Sequence, residues 1–181
     1  MSKATKDAIA FLINHGAHTS GHSGRGLLDH LQGTRALLVK WGAEDTTCDA
    51  GLFHSVYGTE SYRHVTLPLD LRRSVAALIG TEAETLAYVF GAKTKESFMA
   101  NADRDDSFTI HDRFAQIDIP LAPEQFRALS EVFVANTVEQ APQIDEKRIL
   151  SVQQRYDWVC AHVSATAQAA FRGMTGRSDR P

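Results

Sequence analysis

Two histidines in consecutive predicted helices hold most of the chemical interest of this sequence. His30 stands in "LLDHLQGTRALLVKWG" and His54 in "AGLFHSVYGTE", two of eight histidines in 181 residues. Near neutral pH an imidazole is often already deprotonated, which makes it the commonest side-chain ligand for a transition metal. Each ring lies by the apolar side of its own predicted helix, so two adjacent helices can turn both into one cleft. The competing reading of either histidine alone is a hydrogen-bonded core imidazole. Tyr57, one turn beyond His54, can offer a proton to whatever binds there, or can be a core tyrosine with its hydroxyl at the boundary. Arg63, Arg72 and Arg73 can fork around paired phosphate oxygens, or can line an exposed face. No Walker loop, GxSxG elbow or Rossmann glycine pattern is present. Ser55 beside His54 makes no nucleophile and base pair, because adjacent helical residues diverge by about 100°.

The elements that must position these residues read as helices. Periodicity predicts a helix from Thr5 to Asn14 stopped at Gly16, and a second from Gly26 to Trp41 with Leu27, Leu31, Leu38 and Trp41 on one stripe. A third is capped by Asp45, Thr46 or Thr47 and runs through Ala50, Phe53, His54 and Tyr57 to Gly58. Pro68 and Asp70 introduce a helix with Val75, Ala76 and Ile79, and a turn at Gly80 leads into another capped by Thr81. "SFTIHDRFAQIDIPL" alternates apolar and polar residues and predicts a hairpin, with Phe108 and Ile110 on one strand and Ile117 and Ile119 on the other. Pro123 and Glu124 open an apolar helix to Gln140, and a last helix spans Asp145 to Phe171. The expectation is an all-α bundle with a small β-hairpin excursion, one domain over residues 1–172 and a flexible tail over 173–181.

Composition narrows the partners. Hydrophobic residues make up 43% and the formal charge is −3, which gives no global positive field for nucleic acid or an anionic membrane. Cys48 and Cys160 lack CxxC or finger spacing, so a disulfide framework is not expected and a reduced, cytoplasmic setting is. No apolar stretch approaches the roughly 20 residues of a membrane span. The expected partner is a small molecule, with no nucleic acid and no membrane, and self-association as a homodimer stays open.

The two quoted segments resemble the start of HD-superfamily domains, in which a histidine on one helix and a His-Asp pair ending the next bind a divalent metal. Among characterised members the resemblance is nearest to the alarmone (ppGpp) hydrolase branch, and "RRSVAALIGTEAETLAYVFGAKTK" is similar to that branch's helix, glycine and "TK" segment. The "DHLxGT" and "LFHSVYGT" blocks are also similar to an uncharacterised bacterial family, over roughly residues 20–140. The resemblance implies an HD-like bundle and aligns Asn136, in "FVANTVEQ", with the final metal-binding aspartate. It also exposes departures. Ser55 and Asn136 stand where aspartates belong, and Gly58 and Thr59 replace the acidic pair of the hydrolases, which argues against an intact alarmone hydrolase. Two imidazoles without carboxylates hold a divalent cation weakly.

Recruited donors could compensate. His22, in the loop before the His30 helix, and Glu139, three positions after Asn136, are the favoured additions. Glu60, Glu84 and the His111-Asp112 dipeptide are further candidates, each with a plain reading as a helix end or surface turn. The expected site is thus a divalent Fe, Mn or Zn ion on His22, His30 and His54, with Tyr57, Glu60 and Glu139 as catalytic groups and Ser55, Asn136 and Arg63 binding the ligand. The activity implied is hydrolysis of a phosphoester or an iron-dependent oxidation. The alternative is a metal-free domain that keeps the cleft for a small ligand or a protein partner.

Overall fold

The computed structural model describes residues 2–18, 21–22 and 25–174, with the backbone alone at 21, 22 and 25. It is mostly helical. Helix α1 (Lys3–Asn14) is capped by Ser2, whose Oγ accepts the Thr5 N–H at 3.1 Å. A two-residue antiparallel pair, β1 (Gly21–His22) and β2 (Arg25–Gly26), precedes α2 (Leu27–Trp41). Leu27, His30, Leu31, Thr34 and Leu38 form the buried stripe of α2, which ends at Gly42 in the left-handed conformation.

Helix α3 (Asp45–Phe53) is shorter than its apolar pattern predicts. It stops at Phe53, and His54 is its C-cap, so Tyr57 lies in the following turn and not on a helical face with His54. Local hydrogen bonding explains the early stop. The His54 ring takes the Gly51 carbonyl, the Val56 N–H turns back to the Phe53 carbonyl at 3.2 Å, and the Val56 carbonyl accepts from Thr66 and Leu67.

A short 3₁₀ turn leads into α4 (Arg72–Ile79), and Gly80 separates it from α5 (Thr81–Ala92). Thr81 is the first residue of α5 and Gly80 its N-cap, one position earlier than the sequence suggests. A five-residue helix that periodicity does not reveal, α6 (Lys95–Met99), is capped by Thr94. The predicted hairpin is present as β3 (Phe108–Asp112) and β4 (Ile117–Leu121), with Ile110 opposite Ile119. Phe108, Ile110 and Leu121 point into the core.

Helix α7 (Pro123–Gln140) is buried on most of its faces and packs against α2, α3 and α5. The long last helix of the sequence reading is broken in two, α8 (Glu146–Tyr156) and α9 (Ala165–Arg172), with a 3₁₀ segment over Asp157–His162 between them. Val163 is extended and Ser164 caps a fresh helix through its Oγ, while Trp158 and His162 turn onto the Phe126 ring. Met174, placed in the flexible tail by sequence, is buried; residues 175–181 lie outside the described residues. No helix among the described residues is long and apolar enough to cross a membrane.

Candidate functional site

The stripe of α2 and the C-terminus of α3 bring two buried imidazoles face to edge. His30 and His54 have ring centroids 5.0 Å apart, and their Nε2 atoms approach to 3.1 Å. Both rings are almost wholly shielded from solvent. From α7, the Oδ1 of Asn136 lies 3.1 Å from His54 Nε2, and the Gln140 amide donates to that same Oδ1 at 2.7 Å. His54 also stands edge-on to Phe90 of α5, at 5.0 Å.

The opposite nitrogens are anchored. His54 Nδ1 is 2.7 Å from the Gly51 carbonyl, which can only accept, so the ring hydrogen sits on Nδ1. His30 Nδ1 pairs with the Glu139 carboxylate, whose side chain is only 6% exposed. With both Nδ1 atoms donating, His54 Nε2 faces the electron pairs of His30 Nε2 and of the Asn136 oxygen, each at hydrogen-bond distance. A positive charge, a proton or a metal ion, reconciles that convergence. Donors about 2.1 Å from a common ion stand about 3.0 Å apart in octahedral and about 3.4 Å apart in tetrahedral coordination, and the two 3.1 Å separations from His54 Nε2 lie within that range. A carboxylate or carbonyl behind each ligating imidazole is also the usual outer layer of a metal site. Three donors of which one is a neutral amide fit a divalent ion only modestly, and among the described residues no group of three His, Cys, Asp or Glu side chains is placed to hold one.

A cleft of about 300 Å³ opens beside this centre, lined by Ser55, Glu60, Phe90, Lys93, Asn136 and Arg148 among others. Glu60 is exposed at its mouth and accepts the Lys95 backbone N–H at 2.7 Å. Ser55 is buried on its inner wall. His30, His54, Asn136 and Glu139 thus come together, with Ser55 and Glu60 along the adjoining cleft. The His22 side chain lies outside the described residues.

Other candidates are placed elsewhere. The Tyr57 hydroxyl is turned to Glu84, donating to its Oε1 at 3.0 Å, and burial pushes its pKa well up. Glu84 is buried and takes Arg72 in a two-pronged bond at 2.7 and 2.9 Å. Arg72 in turn lies 3.6 Å over the Tyr88 ring. Arg63 and Arg73 are exposed, while Arg72 is committed to Glu84. His111 pairs with Asp118 on the hairpin, and buried Asp112 accepts from the Tyr88 hydroxyl and the backbone of Phe114 and Ala115. These groups knit the fold.

The sequence reading passed over Lys93, Phe90, Arg148 and Tyr156 as cleft residues. Lys93 was visible only inside "AKTK", and Arg148 and Tyr156 come from helix α8, whose spacing relative to the site no periodicity reveals.

Residues 11–94 match the model of a family described as a domain of unknown function, DUF6817. The chain is similar to that domain over a stretch that carries both imidazoles and Lys93 and ends before Asn136 and Glu139. No curated protein and no solved structure matches it.

Proposed function

We propose that this chain is a metal-dependent hydrolase built on an HD-like helical frame, acting on a phosphoester of a small molecule. The observation behind this reading is that His54 Nε2 lies 3.1 Å from both His30 Nε2 and Asn136 Oδ1, with both imidazoles anchored from behind. His30, His54 and Asn136 would hold the ion, which supplies Lewis acidity toward a phosphoryl oxygen and lowers the pKa of water. Glu139 keeps the His30 hydrogen on Nδ1, and the Gly51 carbonyl does the same for His54. Glu60, at the cleft mouth, is the carboxylate available to take up a proton from attacking water. Ser55 and Asn136 orient the ligand on the inner wall.

The 3.1 Å approach of the two Nε2 atoms also suits a second reading, a metal-free pocket in which His30 and His54 share a proton. Elemental analysis of untagged protein separates the two. The hydrolase reading expects one Fe, Mn or Zn per chain, lost in a His30→Ala, His54→Ala double variant. No metal in either protein, with melting unmoved by all three ions, leaves the metal-free pocket.

A further inference from the structure

Lys93 is a cation held in a setting that disfavours it. It is the C-cap of α5, half-buried, and its Nζ lies 4.5, 5.1 and 5.6 Å from the ring centres of Phe90, Phe98 and Phe133. Those π faces attract the charge, but they offer its three N–H donors no lone pair. Among the described residues no carboxylate comes within ion-pair distance of it. Burial lowers its pKa to about 8, with Glu60 acting the other way and Lys95 adding to the lowering.

The surroundings repeat the sign. Lys95 and Arg148 line the same cleft, and Arg155 lines its continuation past Gln140; among the described residues that line it Glu60 is the one acid, and its carboxylate is engaged with a backbone N–H. In a chain of net charge −3, cations gathered in a concave site raise the local concentration of anions. Phe90 touches both the Lys93 ammonium and the His54 ring, so the cleft and the imidazole pair adjoin through one side chain.

We propose that this cleft is an oxyanion-recognition site, with Lys93 as its central cation and Lys95 and Arg148 at its rim, binding a phosphate or carboxylate of the substrate beside the imidazole pair. The inference deepens the hydrolase reading by naming a charged group the substrate carries, yet anion binding itself does not require the metal.

Calorimetric titration of the full chain with inorganic phosphate, and with succinate in parallel, tests it. Binding at neutral pH is expected, weakening as salt rises, at least 10-fold weaker in Lys93→Met and in Arg148→Gln, and retained in Lys93→Arg and in the His30→Ala, His54→Ala variant. A preference for phosphate over succinate, or the reverse, identifies the anion. Met keeps the length of the lysine stem against the three rings; should that variant not fold, Arg148→Gln decides. Phosphate and succinate that both fail to bind, or that bind the Lys93 and Arg148 variants as tightly as the parent, overturn the proposal. Binding lost only in the histidine variant also overturns it, and leaves the metal reading standing. Lys93-dependent binding in a protein that takes up no metal upholds the anion site and sinks the hydrolase.

Discussion

Gly33 shows how one missing methyl sets the imidazole pair. A Cβ built there would fall 2.7 Å from Glu139 Oε1, so the glycine leaves the channel through which the carboxylate reaches His30. Gly33→Ala should keep the helical circular dichroism, since alanine is the better helix former by about 1 kcal/mol. It should also push Glu139 off His30 and, if the proposed ion is bound there, weaken its uptake by about 10–100-fold. Unchanged metal affinity would deny Glu139 its role in orienting the ring. Lys93 makes the converse case, a residue kept at a cost. Because its folded-state pKa is lowered to about 8, the native chain binds fewer protons than the unfolded one between that value and the ordinary lysine pKa. Stability from this group therefore rises with pH across that window, and the full cost applies below pH 8. Lys93→Met should melt about 3 °C higher than the parent at pH 7, with the gap closing as pH rises toward 10. A gap that stays constant with pH would show that the ammonium is not the cause.

Among the elements, the joint between α4 and α5 rests on a buried polar network and not on apolar packing alone. Glu84 at the start of α5 receives Arg72 from α4 and Tyr57 from the turn after α3. Removing one partner of such a set leaves a carboxylate with too few donors in a poorly solvated place. Denaturant melts of Arg72→Met should show a loss of about 2–4 kcal/mol, and Tyr57→Phe about 1 kcal/mol. Adding Glu84→Gln to Arg72→Met should restore part of that loss, because the uncompensated charge is gone. An Arg72→Met protein as stable as the parent would reduce the pair to a surface contact.

At the scale of the whole molecule, α7 ties two regions of different character together. Its C-terminal half carries Asn136 and Glu139 to the imidazoles, while its N-terminal half carries Phe126 into an aromatic cluster. Phe126 stacks on Phe108 of the hairpin at 4.0 Å and meets Trp158 and His162 from the segment after α8. Phe126→Ala should cost about 3–5 kcal/mol. Hydrogen exchange should then accelerate in β3, β4 and residues 157–162 well before α2 and α3 respond, since local opening follows local contact. Equal acceleration everywhere would mean that the chain opens as one unit.

Read alone, the amino-acid order determined the mostly helical class, the stripe beside which His30 is buried, the hairpin with its two strands, and the two histidines worth pairing. Each of these is a local or periodic property, set by side chains a few positions apart. Tertiary structure decided that α3 ends at Phe53: the His54 ring and the Val56 N–H take the Gly51 and Phe53 carbonyls, and Thr66 and Leu67, from farther along the chain, hold the Val56 carbonyl in the turn just beyond. It likewise decided that the C-terminal helix breaks where Trp158 and His162 find the Phe126 ring. The partners of Tyr57, Arg72 and Glu84, and the meeting of Lys93 with Arg148 around one cleft, join residues far apart in the chain. Such pairings depend on how whole helices dock, and no local pattern encodes them.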